Sequence, residues 1–104
     1  MRAYKVLYSP GAQKNLIEIH RYIAQAASPE IATNYTDAIV AYCATFSMFP
    51  ERGTRRDDLM PGLRVTNYRG RTVIAFAIVE NTVSILGIFW GGRDYSRALF
   101  DASV

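Results

Sequence analysis

Residues 73–79 read Val-Ile-Ala-Phe-Ala-Ile-Val, apolar at every position. A strand sends alternate side chains to opposite faces, so Val73, Ala75, Ala77 and Val79 fall on one side and Ile74, Phe76 and Ile78 on the other. Such a segment belongs in the middle of a sheet that is covered on both faces. The rest of the chain therefore has to supply neighbouring strands and two layers of cover.

The neighbours are legible on either side. Leu63 and Val65 alternate with Arg64 and Thr66, the pattern of a half-buried strand. Arg69-Gly70 and Glu80-Asn81 read as tight turns, the second with Asn tolerating a positive φ. Val83 to Trp90 completes a three-stranded meander, and Lys5 to Tyr8 reads as a further short strand with Val6 and Tyr8 on one side and Leu7 on the other. Gly91-Gly92 releases the chain into a short terminal helix or tail over 93–100.

Two helices lie between the first strand and the meander. Ser9-Pro10 and Ser28-Pro29 are matching start signals, because Ser caps the free N–H groups and Pro is pre-set for the first helical position. Ala12, Leu16, Ile19 and Ile23 mark one apolar face, with Lys14, Glu18, Arg21 and Gln25 opposite. Tyr35, Ile39, Tyr42, Phe46 and Phe49 mark the second stripe, and Pro50 ends it. The expected fold is α+β: β-α-α-β-β-β, with a helical hairpin packed on one face of a small, mainly antiparallel sheet of about four strands. One apolar face of the central strand then remains open. A strong curl of the sheet or a partner must cover it, and the pattern favours a partner.

At 104 residues the chain is expected to be a single domain, 1–104. Its net charge is +3, and arginine supplies most of its 12 cations. A guanidinium fork suits carboxylate or phosphate, so an acidic partner is favoured. The single cysteine, Cys43, excludes an internal disulfide and reads as a small buried hydrophobe in a cytoplasmic protein. The first residues lack a signal-peptide core. There is no metal-ligand spacing and no phosphate-cradling glycine loop, so no metal and no cofactor is expected.

The candidate binding residues are Arg64, Tyr68, Arg71, Trp90 and Arg93, at strand ends and turns of the meander. Arg64 reads either as a partner contact or as an ion-pair partner of Asp57 or Asp58. Trp90 reads as core or as an interface anchor. The loop arginines Arg52, Arg55 and Arg56, beside Glu51, Asp57 and Asp58, read as a solvated face.

The element order, the pattern Ala12…Leu16…Ile19…Tyr22-Ile23, and the segment Pro50…Gly53…Arg56…Leu59…Pro61-Gly62-Leu63-Arg64 leading to Gly92-Arg93-Asp94 together resemble the ParE branch of the RelE/ParE toxin superfamily. The resemblance implies a RelE/ParE-like fold and a plasmid-stabilisation type of toxin–antitoxin module. It further implies neutralisation by a ParD-like antitoxin and inhibition of DNA gyrase. No membrane contact and no direct sequence-specific nucleic-acid binding are expected. The alternatives are a ribosome-dependent mRNA endoribonuclease like RelE, and a non-toxic member that only binds its antitoxin.

A ribonuclease needs groups that activate the 2′-hydroxyl and protonate the leaving oxygen. Its set here would be Arg64, Arg93 and Tyr95. Lys5, Lys14 and His20 lie outside the meander, so no acid–base pair stands beside those arginines, and binding without catalysis is the favoured reading.

Overall fold

In the computed structural model, residues 3–91 are described. The elements are β1 (Lys5–Tyr8), α1 (Pro10–Ala26), α2 (Pro29–Ala44), a 3₁₀ turn (Thr45–Ser47), β2 (Thr54–Arg55), β3 (Leu63–Tyr68), β4 (Thr72–Val79) and β5 (Thr82–Trp90). Both Ser-Pro starts behave as the sequence predicts. Ser9 Oγ accepts the Ala12 N–H and Ser28 Oγ accepts the Ile31 N–H, each with proline in the first turn.

The sheet holds five strands in the order β1-β5-β4-β3-β2. The added strand, β2, is two residues long and pairs Thr54 with Val65 and Arg55 with Arg64. Its polar residues give no apolar alternation, so no strand pattern marks it in the sequence. β1 runs parallel to β5, and the other pairs are antiparallel.

The helices cover one face. Ile74 and Phe76 of β4 and Val83, Ile85 and Ile88 of β5 form a single core with Ala12, Ile19, Ile23, Ala32, Ile39, Cys43 and Phe46 of the helical layer. The two helices approach the sheet differently. Small residues let α1 lie close to β5, where Gly11 stands opposite the Leu86 carbonyl. Aromatic side chains span the gap from α2: Phe46 stacks on Phe76 at 4.4 Å, and the Tyr35 hydroxyl meets Thr72 at 2.6 Å.

The helix-free face has its own smaller core of Leu63, Val65, Ala75 and Phe89. Leu59 and Met60 from the loop before β3 pack against it. The register slips between Ala75 and Phe76, where Ala75 faces Gly87 and Phe76 faces Ile85, so Leu86 is the extra residue of a bulge that bends β5. Loop cover and local bending thus close the middle of a face for which the sequence pattern favoured a partner over a curl of the sheet. Leu7 and Val79 on this face stay 56% and 61% exposed.

Two local readings need correction. The α-helix ends at Ala44 rather than running to Phe49, which is 66% exposed. Thr45 tightens the last turn, its hydroxyl donating to the Tyr42 carbonyl at 2.6 Å, and Pro50 disfavours helical geometry at Phe49. In the second hairpin turn the left-handed residue is Glu80 (φ 55°), not Asn81, whose carbonyl accepts the Lys5 N–H. The first turn is as expected, with Arg69 and Gly70 both at positive φ.

Candidate functional site

Register places the predicted residues before any side-chain detail does. Tyr68 pairs with Thr72, and Thr72 pairs with Trp90, so the three form one row across β3, β4 and β5. Arg71 directly precedes Thr72. The structure therefore brings Tyr68, Arg71 and Trp90 to one end of the sheet. All of this row faces the helices, which contribute a tyrosine to each position. Tyr42 lies 4.9 Å from Tyr68, ring to ring, Tyr35 bonds Thr72, and Tyr22 lies 4.8 Å from Trp90. Trp90 is half-buried and packs against the main core, so it is both core wall and rim.

Tyr22, Tyr35 and Tyr42 were missing from the candidate set. Their spacing marks Tyr35 and Tyr42 as core-facing, but nothing local shows which strand each will meet. Beside this row, between α1 and the end of β5, lies a cavity of about 450 Å³.

Arg64 is not part of that group. It lies on the same face of β3 as Tyr68 but two alternations away, and its Nη1 donates to the Arg52 carbonyl at 3.3 Å. It pairs with neither aspartate, because both are taken. Arg55 Nε lies 3.1 Å from Asp57, and Arg56 Nη2 lies 2.9 Å from Asp58. The Gly62 N–H and Arg55 hold the Asp57 carboxyl below its ordinary value, and Arg56 does the same for Asp58. These pairs are exposed and add little stability individually. Their geometric effect is larger: Asp57 ties the start of the loop to Gly62, five residues on, and shapes the turn that carries Leu59 and Met60. Arg93 and Tyr95 lie outside the described residues.

Arg52 departs most from its expected role as a solvated loop charge. Its guanidinium donates to the Phe49 carbonyl at 2.8 Å, to the Thr45 hydroxyl at 2.9 Å and to the Thr45 carbonyl at 3.1 Å. It also lies 4.8 Å from the Phe46 ring centroid and 5.5 Å from that of Tyr42. One fork thus caps the end of the helical layer and covers two aromatic faces. The clue was positional: a cation just past a helix end faces unpaired carbonyls.

The other polar chemistry in the core is inert. Cys43 is fully buried, and burial pushes its thiol up to about 11, out of range for a nucleophile at neutral pH. Burial beside Cys43 also raises Tyr8 well above the ordinary phenol range. His20 sits on the helical surface, 3.0 Å from the Thr33 hydroxyl. Among the described residues no group of His, Cys, Asp and Glu could hold a metal ion, and no helix is long and apolar enough to cross a membrane.

Residues 6–95 match the family model described as the ParE toxin of the type II toxin–antitoxin system parDE. Among solved structures, the fold is similar to a chain of the chromosomal ParDE toxin–antitoxin system from P. aeruginosa. The TM-score is 0.73 and the identity 21%, covering 85% of this chain and 96% of that one. Among curated proteins, none matches the sequence.

Proposed function

The chain belongs to the ParE toxin family of type II toxin–antitoxin systems, and on that premise we propose that a ParD-like antitoxin silences it by covering the helix-free face of its sheet, and that it acts by inhibiting DNA gyrase. The observation that carries the first half is the pair of exposed apolar side chains on that face, Leu7 and Val79. Leu7 pairs with Ser84, which pairs with Ala77, and in the adjacent row Lys5 pairs with Thr82, which pairs with Val79. Two large apolar side chains, each more than half exposed, flank a cation there. An amphipathic, acidic segment that folds as it binds complements such a surface.

The second half rests on the family and on the placement of the titratable groups. Lys5 and Lys14 lie in β1 and α1, His20 is on the outer surface of α1, and the Arg64 guanidinium is engaged by the Arg52 carbonyl. This arrangement supports a toxin that binds its target rather than one that cleaves RNA.

Expression of the chain alone should arrest bacterial growth, and co-expression of the neighbouring reading frame should restore it. Purified toxin should inhibit supercoiling by gyrase and add no cuts to translated mRNA. Toxin-dependent cleavage at the ribosomal A site would replace gyrase with a ribonuclease mechanism. Normal growth with confirmed expression would leave only antitoxin binding.

A further inference from the structure

The cavity beside Trp90 is lined by polar groups that the fold uses only in part. Asn15 and Glu18 stand one turn apart on α1, on the same side of the helix, and both line it. Asn15 Oδ1 accepts the Ile88 N–H at 3.0 Å, which fixes the amide and leaves its NH₂ as a donor. Glu18 is half-buried, and among the described residues neither it nor Arg71 has a hydrogen-bond or ion-pair partner. Ile19 and Ile88, 6% and 1% exposed, form the floor. Tyr22, 57% exposed, leans on Trp90 at an interplanar angle of 57°, so the two rings form an open aromatic corner.

From this arrangement we infer that the cavity is a guanine-nucleotide site. A carboxylate only accepts, and it can take two parallel N–H donors. Guanine alone among the bases offers N1–H and N2–H side by side, with the O6 acceptor next to them. Glu18 meets the two donors and the Asn15 amide meets O6. The purine lies against the Tyr22–Trp90 corner, where stacking needs only a flat π face. Arg71, at the rim of the cavity, faces the phosphate. A volume of about 450 Å³ lies within the range of roughly 300–1,000 Å³ of small-molecule pockets. A simple anion fits poorly, because Glu18 would repel it and the aromatic corner would be unused. The same chemistry is available from a free nucleotide or from an unpaired guanine in a strand.

Trp90 is the only tryptophan and lines the site, so its fluorescence reports occupancy without a label. The full chain is titrated with GMP, AMP, inorganic phosphate and a five-nucleotide single strand carrying one central guanine. GMP should change the emission saturably and bind about tenfold tighter than AMP, the discrimination of one bidentate contact. Phosphate should leave the emission unchanged over the same range. Glu18→Gln should bring GMP down to the AMP level, and Arg71→Ala should weaken both nucleotides by about tenfold. Tighter binding of the strand than of GMP would identify a nucleic-acid source, and equal or weaker binding a free nucleotide. No response to GMP, equal binding of GMP and AMP, or an equal response to phosphate would overturn the assignment. Those comparisons use the unaltered chain, so they hold even if a variant folds poorly. Nucleotide binding by the isolated chain is also independent of growth arrest and of the antitoxin.

Discussion

The two faces of this sheet are built from similar apolar strands but are closed in different ways. On the helix-bearing face the large side chains over the middle of the sheet have fixed partners: Phe46 stacks on Phe76, Tyr35 bonds Thr72, and Arg52 seals the end of the layer. On the other face a single loop covers the middle through Leu59 and Met60, while Leu7 and Val79 remain open. The first face is closed by the chain's own helices except at the cavity beside Trp90. The second is closed only as far as one aspartate-pinned turn reaches. Stability and partner binding should therefore separate by face, and substitutions can test that separation.

The largest loss of stability should come from Phe46→Ala. It removes the stack on Phe76 and the surface beneath Arg52, and truncating a buried Phe typically costs about 3–5 kcal/mol. Urea unfolding of the isolated chain measures it. Gly53→Ala should follow, at about 1–3 kcal/mol. Gly53 has φ 76°, and an added Cβ would come within 2.3 Å of the Val65 carbonyl oxygen, so the loop could not lie against β3. If that variant unfolds at the wild-type urea midpoint, the loop is not the cover described above.

Leu7→Ser should change the stability of the isolated chain by no more than about 0.5 kcal/mol, as expected for an exposed position. It should nevertheless weaken antitoxin binding by about tenfold, since burying a leucine is worth about 1.5–3 kcal/mol. Calorimetry on the complex and urea unfolding of the free chain give the two numbers. A large loss in the free chain with unchanged affinity would reverse the contrast between the faces.

The smallest effect concerns pH. The folded values of Asp57 and Asp58 are depressed, so their contribution is present above the unfolded carboxylate value near ~3.9 and is lost as pH falls through the lower folded values. Stability should thus be insensitive to these two groups near neutrality and decline in the acid range below that value. Asp57→Asn should remove part of the decline, measured as melting temperature against pH.

The sequence exposed the parts of this fold that depend on periodicity and local start signals. Both Ser-Pro caps, the apolar stripe of α1 and the two-faced strand β4 have local causes, and all are present in the structure. It did not expose features that depend on distant partners. The two-residue β2 has no pattern of its own and exists because β3 offers it an edge. Arg52 looked like its neighbours Arg55 and Arg56, yet it faces helix carbonyls while they face aspartates. For the candidate site, Tyr68, Arg71 and Trp90 were read as candidates from their places at strand ends and turns. The row that joins them needs the register of both hairpins, and Arg64 lies apart from it, donating to the Arg52 carbonyl.

The parallel pairing of β1 with β5 also has a consequence for synthesis. Ser9 Oγ donates to the Leu86 carbonyl across 77 positions of sequence, and Leu7 pairs with Ser84. Contacts this distant in sequence form late, after the local hairpins, and slow the search for the native state. On a growing chain, β1 and the face of α1 that lies on β5 have no native surface to close against until β5 has been made. For most of its translation the molecule is then a helical hairpin without its sheet. A partner that recognises the finished sheet cannot engage it before that point, so the moment of completion is also the first moment at which activity and its restraint can compete.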